Sequence, residues 1–360
     1  MVRVHVKSKR KMHSWPAWAL GPRSAHPKFG GSITIGGIAR VDTRLQVIKS
    51  NFPDDLTSCH LLHELMEDGD YAQFNNPNAI SWPDLVRGIE EGRYPRIAAL
   101  TVPAFGIPGV ENGALLSPNK DIADMYYNMH VTSILKTKWL KQQNLGEGVY
   151  IWWPAFDSQR KYHGANPQFS INEAWDKLIE IWYGICDEVL DKTDTSPAGN
   201  EPLVWLEWKP EVPGQDYINT LTRAIQFCGE VNSKVGGRVM AINNEWAHLL
   251  IGGTTVEDGT RRTIEAGLFT GFLHANSADK AIVSIDDTTG EVIEGTPGDD
   301  RDWFVGAGGQ NRWDDQQRAV KLLVESDLPL IIEHDIDPGG DDPLLYYKTS
   351  RSNFEQMLNS

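Results

Sequence analysis

Short apolar runs alternate with amphipathic stretches along most of the chain. RIAALTV (96–102), GVYIWW (148–153), LVWLEW (203–208), RVMAIN (238–243), FLHAN (272–276) and LPLIIEHD (328–335) are nearly continuous in apolar residues, as parallel strands buried on both faces are. SWPAWAL (14–20) and LTSCHLL (56–62) are shorter runs that would supply the first two strands. Between the runs, spacing predicts helices over SWPDLVRGIEEG, 121–140, 170–191, about 215–230, 256–269, 314–326 and from about 342 onward. In 170–191, Ile171, Ala174, Trp175, Leu178, Ile179, Trp182 and Ile185 recur at helical intervals. Eight strands alternating with helices predict an α/β protein, a (β/α)8 TIM barrel, with residues 1–360 as one domain.

One segment breaks the rhythm. Residues 277–312 separate the seventh strand from the next helix, where two to six residues are usual. Within it, AIVSIDDTTGEVIEGT is an apolar run, a polar turn and a second run, which predicts a hairpin. PGDDRDWFVGAGGQNRW follows, rich in Gly and Asp. A long excursion on a βα loop would act as a lid or a subunit contact.

Composition narrows the function classes. Hydrophobic residues make up 40% and charged residues 23% of the chain, enough for a sizeable core and too apolar for global disorder. A net charge of −15 offers no footprint for nucleic acid or anionic lipid. Cys59, Cys186 and Cys228 are odd in number and form no CxxC pair, so they read as reduced, buried thiols. The basic N-terminal stretch leads into no apolar segment of signal-peptide type. The expectation is a soluble cytoplasmic protein whose partner is a small molecule.

The polar residues fall where a barrel keeps its chemistry, at the C-terminal ends of the strands. LVWLEWKP places Glu207 and Lys209 two residues apart, on one side of a strand. RVMAINNEWAH runs out into Glu245 and His248, FLHAN into His274 and LPLIIEHD into Asp335, with Glu333 two residues earlier. A lone carboxylate after a strand is usually a helix cap, and a lone histidine a core residue. Four consecutive strands that each end in a ligand type point instead to a cation, because clustered buried carboxylates need one. The mixed oxygen and nitrogen set suits Mn²⁺, Co²⁺ or Mg²⁺ better than structural zinc. Lys209 beside it would stabilise negative charge developing on a substrate oxygen.

These motifs resemble the xylose isomerase-like superfamily of barrels, and within it L-rhamnose isomerase of the bacterial type. NNEWAH is similar to the acidic–x–x–His motif of the sixth strand, LEWKP to the Glu–x–Lys motif, FLHANS to the histidine that follows and DIDPGGDDP to the closing Asp motif. WPAWALGPRSAHPKFG, PAFGIPGVENGALLSPNKDI and YIWWPAFDSQRKY are similar to upstream stretches of the same family. The resemblance implies a metal site of Glu207, Glu245, His274 and Asp335. It implies a second, catalytic metal held by His248 and Asp314, with Lys209 on the carbonyl-end oxygen. It also implies a ring-opening histidine on the second strand, either His60 or His63, and a pocket lined by Trp18, Phe105 and Trp152 or Trp153.

The activity so implied is a metal-dependent aldose–ketose isomerisation by hydride shift, with Mn²⁺ the first choice of metal and a homo-oligomer, tetramer or dimer, as the assembly. Asp314–Asp315–Gln316 departs from the family's Asp–x–Asp pair. That departure keeps open a ketose 3-epimerase, a lyase acting on an oxidised glycoside, or a barrel that binds sugar without turning it over.

Overall fold

The computed structural model describes residues 10–21, 38, 40–103, 107, 110, 113–154, 157, 170–196, 201–208, 210, 218–278, 282–285, 292–296, 303–336 and 342–360. Among them, β1 (Lys11–Ser14), β2 (Thr57–His60), β3 (Ile97–Thr101), β4 (Gly146–Trp152), β5 (Val204–Leu206), β6 (Met240–Ile242), β7 (Phe272–His274) and β10 (Leu330–Glu333) run parallel. β2 to β6 pair in chain order, and β7 and β1 flank β10. A parallel bridge between Ser14 and Leu56 joins β1 to the start of β2. On the other side the Ile242 amide donates to the Leu268 carbonyl at 3.0 Å, just ahead of β7. The result is the (β/α)8 TIM barrel expected from the alternation.

Strand alternation sorts the side chains into two cores. Ala99, Val149, Ile151, Trp205, Ala241 and Phe272 point inward and pack on one another, with Ile331 against them. Their neighbours Leu100, Tyr150, Trp152, Leu206, Ile242, Leu273 and Ile332 point outward into a larger core beneath the helices.

The helices are α1 (Val41–Asn51), α2 (Trp82–Glu90), α3 (Lys120–Gln142), α4 (Ile171–Lys192), α5 (Leu221–Val235), α6 (Trp246–Ile251), α7 (Val256–Glu265), α8 (Gln310–Glu325) and α9 (Pro343–Asn359). Most start where a cap residue stands. The side chains of Ser81, Asn119, Thr220 and Thr255 accept from amides of the first turns, and Ser170 forms a reciprocal capping box with Glu173.

Three elements differ from the sequence expectation. The first strand is Lys11–Ser14, while 17–20 is a single 3-10 turn. Pro16 has no amide to give a sheet ladder, and it stands at the head of that turn. Helices α1 and α6 were not expected. In the excursion, β8 (Ile282–Ile285) and β9 (Val292–Thr296) form the predicted antiparallel hairpin. The chain returns to the barrel through a two-bond bridge between Ser277 and Trp303, with distances of 2.8 and 2.6 Å. Gln316 clips the same return, accepting from the Gly306 amide at 2.7 Å and donating to the Asn276 carbonyl at 2.8 Å.

Candidate metal centre

The ends of β5, β7 and β10 deliver polar side chains inward. On β5 the inward residue is Trp205, so Glu207, two positions on, shares its side. On β7 Phe272 points in and His274 follows it. On β10 the inward series is Ile331, Glu333, Asp335. Glu245 stands at the N-cap of α6, yet its carboxylate does not cap the helix and is directed to its neighbours.

These groups converge on His274. Its Nδ1 touches Glu245 Oε2 and lies 3.7 Å from Glu207 Oε2 and 3.8 Å from Asp335 Oδ2. Its Nε2 lies 3.3 Å from Glu333 Oε1 on the other side. Glu245, His274 and Asp335 each offer one atom within 4.8 Å of the others, and so do Glu207, Glu245 and His248. Glu245 belongs to both sets and His248 is buried. His274, Glu245 and Glu333 are at most 2% exposed, whereas Glu207 and Asp335 are 16% and 21% exposed at the barrel mouth.

The electrostatics call for a cation. Four carboxylates surround one imidazole. Burial opposes charge on His274, but Glu245, Glu333 and Glu207 outweigh it and raise its pKa well above the usual histidine value. Burial likewise opposes ionisation of Glu245, and His274 overrides it, so this carboxyl is held below its usual range. Burial pushes the Asp335 carboxyl up to about 6 against the pull of His274, and Glu245 and Glu333 add to the rise. Glu245 Oε1 is buried with no hydrogen-bond partner among the described residues. A divalent ion among Glu207, Glu245, His274 and Asp335 would satisfy that orphaned atom and balance the charge.

The surroundings hold this set in place. Trp18 Nε1 donates to Asp335 Oδ1 at 3.0 Å, and Asn243 Nδ2 to Glu207 Oε2 at 3.3 Å. Asn276 ties two strand ends together, accepting from the Ala247 amide at 2.8 Å and donating to the Asp335 carbonyl at 3.0 Å. The Trp18 ring lies against His60, with centroids 4.4 Å apart. His60 Nδ1 is 3.0 Å from Glu64 Oε2, and Glu64 Oε1 accepts from Arg44 at 3.1 Å. Burial works against ionising Glu64, but His60, His63 and Arg44 pull its carboxyl down to about 2. A line of contacts thus runs from Arg44 through Glu64, His60 and Trp18 to Asp335.

No family model matches the sequence, and no curated protein matches it either. Solved structures do match the fold. An L-ribulose 3-epimerase superposes with a TM-score of 0.58 at 12% identity, covering 97% of this chain and 95% of its own. A D-psicose 3-epimerase solved in the presence of D-fructose gives 0.58 at 11% identity, over 97% of this chain and all of the other (100%). A xylose isomerase-like TIM-barrel protein from Mycobacterium smegmatis, in complex with magnesium, gives 0.51 at 11% identity over 98% and 97%.

The chain shares the TIM-barrel fold of these structures.

Within that fold the structure sorts the residues picked out from sequence. Glu207, Glu245, His248, His274 and Asp335 come together. Of the two histidines expected on the second strand, His60 ends β2 and is the one against Trp18, while His63 lies in the turn beyond. His63 packs behind His60 with ring centroids 5.7 Å apart, and burial and this neighbour lower its pKa to about 4. Lys209 and Phe105 lie outside the described residues.

Two assignments are corrected. Trp152 faces outward, packed on Trp182 and Phe227 at 4.4 and 5.5 Å, because it follows inward-facing Ile151 on the strand. Trp153, half-buried one residue later, is the tryptophan of that pair whose parity matches Ile151. Asp314 stands one turn into α8, where its Oδ1 accepts from Gln310 at 2.7 Å, and it joins neither candidate ligand set. Asp315 is committed elsewhere, accepting from the Val256 and Glu257 amides at 2.9 and 3.1 Å at the start of α7.

Nothing in the sequence marked Glu64 or Asp157, and Asn276 and Glu333 stood out there only as strand-end residues without a role. Asp157 follows β4 and is buried, accepting the amides of Ala114, Leu115 and Leu116 at 2.8–2.9 Å. Those three donors clamp one mouth loop to another. Asp157→Asn would set an amide against the Leu115 N–H and leave a buried donor unmet, at about 1–3 kcal/mol. Urea denaturation should show that loss; an unchanged midpoint would remove the clamp from the account.

Proposed function

We propose that this chain is a divalent-metal-dependent enzyme that moves a proton beside the carbonyl of a sugar, a ketose 3-epimerase in reaction class. The observation that carries the reading is the composition of the site. Two three-residue donor sets, Glu207–Glu245–His248 and Glu245–His274–Asp335, share Glu245, with Glu207 and Asp335 part-exposed at the mouth, while Asp314 and Asp315 accept hydrogen bonds elsewhere. Glu207, Glu245, His274 and Asp335 would hold the ion, of the Mn²⁺, Co²⁺ or Mg²⁺ kind, with Mn²⁺ our first choice. When bound, such an ion polarises the ketose carbonyl and neighbouring hydroxyl oxygens as a Lewis acid.

The residues of the chain would do the rest. Glu207 and Asp335 come from strands three places apart around the barrel, β5 and β10. One carboxylate would take the proton from C3 and the other would return one to the opposite face. Glu245 and His274, deeper and nearly sealed from solvent, would fix the ion. Trp18 and Trp153 would offer apolar rings to the C–H faces of the sugar, and His60, oriented by Glu64, would face its ring oxygen or terminal hydroxyl. The barrel likeness to an L-ribulose 3-epimerase and a D-psicose 3-epimerase is consistent with this reading.

An aldose–ketose isomerase is the second reading, and one feature favours it. Lys209 stands two residues after Glu207, where an ammonium would stabilise charge on a substrate oxygen during a hydride shift.

Proton NMR in D₂O separates the two. Ketoses and aldoses are incubated with Mn²⁺-loaded protein, or with EDTA-treated protein as control, and the sugars are recorded after the protein is removed. The expected result is metal-dependent epimerisation with deuterium entering at C3. Aldose–ketose conversion with no deuterium uptake would replace this reading by the isomerase. A barrel that binds sugar and Mn²⁺ but converts nothing would end both.

A further inference from the structure

Glu333 is the most deeply buried carboxylate of the barrel interior, with no exposed surface, and it joins neither set of candidate ligands. Register explains its position. Ser14 on β1 pairs with Glu333 on β10, and Glu333 pairs with His274 on β7, so the three lie on one level. Asp335, two residues further along, reaches the Nδ1 side of His274, whereas Glu333 lies on the Nε2 side at 3.3 Å.

Its two oxygens have different company. Oε2 accepts from Ser14 Oγ at 2.7 Å and also from Ser58 Oγ, a hydroxyl that in turn accepts from the Ala99 amide at 3.2 Å. Oε1 has no hydrogen-bond partner to compete with His274 among the described residues. Hydroxyls from β1 and β2 therefore hold the carboxylate so that Oε1 is presented to the imidazole. A carboxylate oxygen only accepts, so once a metal occupied Nδ1 the remaining ring proton would sit on Nε2, directed at Oε1 3.3 Å away. Nδ1 would then present its lone pair to the ion, since it is the atom that faces Glu207, Glu245 and Asp335.

We infer that Glu333 is a positioning residue for the metal centre: held by Ser14 and Ser58, it fixes the tautomer and ring orientation of His274, so that Nδ1 is the ligating atom. The inference deepens the functional reading above and rests on His274 being a metal ligand. Carboxylates that orient a ligating histidine in this way influence metal affinity strongly although they never touch the ion.

Glu333→Gln is an informative change because it keeps the shape. The serine hydroxyls need an acceptor, so the amide oxygen will take the Oε2 position and the NH₂ will face His274. That NH₂ donates to Nε2, which moves the ring proton to Nδ1 and blocks the ligand atom. Mn²⁺ affinity, measured by calorimetry on the purified full chain, should fall 10- to 100-fold. The urea midpoint of the EDTA-treated variant should be no lower than that of wild type. Ser58→Ala, which leaves every ligand and Glu333 in place, should weaken Mn²⁺ binding by a few-fold. With ¹⁵N-labelled histidine and Mg²⁺ bound, wild type should show a His274 Nε2–H that Glu333→Gln loses.

An unchanged Mn²⁺ affinity in Glu333→Gln would overturn the inference. So would a loss of apo stability with affinity intact, since Glu333 would then be a structural prop. Lost affinity with the Nε2–H signal preserved would make Glu333 a ligand itself and overturn the positioning role. A wild-type chain that binds no Mn²⁺ would bring down the functional reading and this inference together, whereas a failure confined to the variants would leave the functional reading standing.

Discussion

Glu245→Gln is expected to abolish metal-dependent turnover and to reduce Mn²⁺ affinity by more than the 10- to 100-fold that loss of an outer hydrogen-bonding partner costs. Glu245 alone belongs to both candidate ligand sets, touches His274 and is 2% exposed. The amide keeps the volume, so packing is preserved and the change is one of charge and ligand quality. A second signature should accompany the loss. Ligand that binds only the folded chain stabilises it, by roughly 4 kcal/mol at a thousand times Kd. Wild type should therefore melt well above its EDTA-treated form when Mn²⁺ is in large excess, and the variant should gain almost nothing at that concentration. Equal gains in the two proteins would mean that the ion, if bound, sits elsewhere.

Gly271→Ala is expected to cost the most stability of any change considered. Gly271 precedes β7 with φ of +102°, and a Cβ there would lie 2.1 Å from the carbonyl oxygen of Pro329. That oxygen is backbone and cannot swing aside. The Gly271 carbonyl also accepts from the Ile331 amide at 2.8 Å, the first rung between β7 and β10. A non-glycine residue in such a conformation costs roughly 1–3 kcal/mol, and forcing atoms into a packed site roughly as much again. We expect a loss of at least about 3 kcal/mol in urea denaturation. His274 lies three residues along and Glu333 two beyond Ile331, so metal binding should weaken along with stability. A variant that unfolds like wild type would show that β7 and β10 can part here without consequence.

The two changes probe levels that differ in how readily they were seen in advance. The middle and late strands were visible because a strand buried on both faces must be apolar throughout; 96–102, 203–208 and 238–243 each enclose an observed strand, and 148–153 overlaps one. β1 was misplaced by several residues, since Lys11–Ser14 carries little apolar signal and owes its place to pairing with β10 and to the bridge at Leu56. α6 is a six-residue helix, too short for periodicity to mark.

The candidate ligand set was visible for a simple reason. A barrel places the polar residue at each strand's C-terminal end over one mouth, so Glu207, Glu245, His274 and Asp335 had to be neighbours once the strands were recognised. Parity along a strand likewise distinguishes outward Trp152 from Trp153, a difference already present in the sequence pattern.

Other questions needed the third dimension. Asp314 and Asp315 are ordinary carboxylates in a polar stretch, and only the packing of α8 against α7 turns Asp315 to the amides at 256 and 257. His60 and His63 were equivalent by type, and the contacts with Trp18 and Glu64 separate them. Glu333 and Asp335 share one strand face, so alternation could not tell them apart; the structure sets Glu333 against Ser14, Ser58 and the Nε2 side of His274, and Asp335 on the Nδ1 side. The sequence by itself determined which strand ends carry charge, because a doubly buried strand tolerates polar residues only where it meets the mouth. The tertiary structure alone decided what each charge faces, because the register between strands distant in the chain is set by contacts no local pattern encodes.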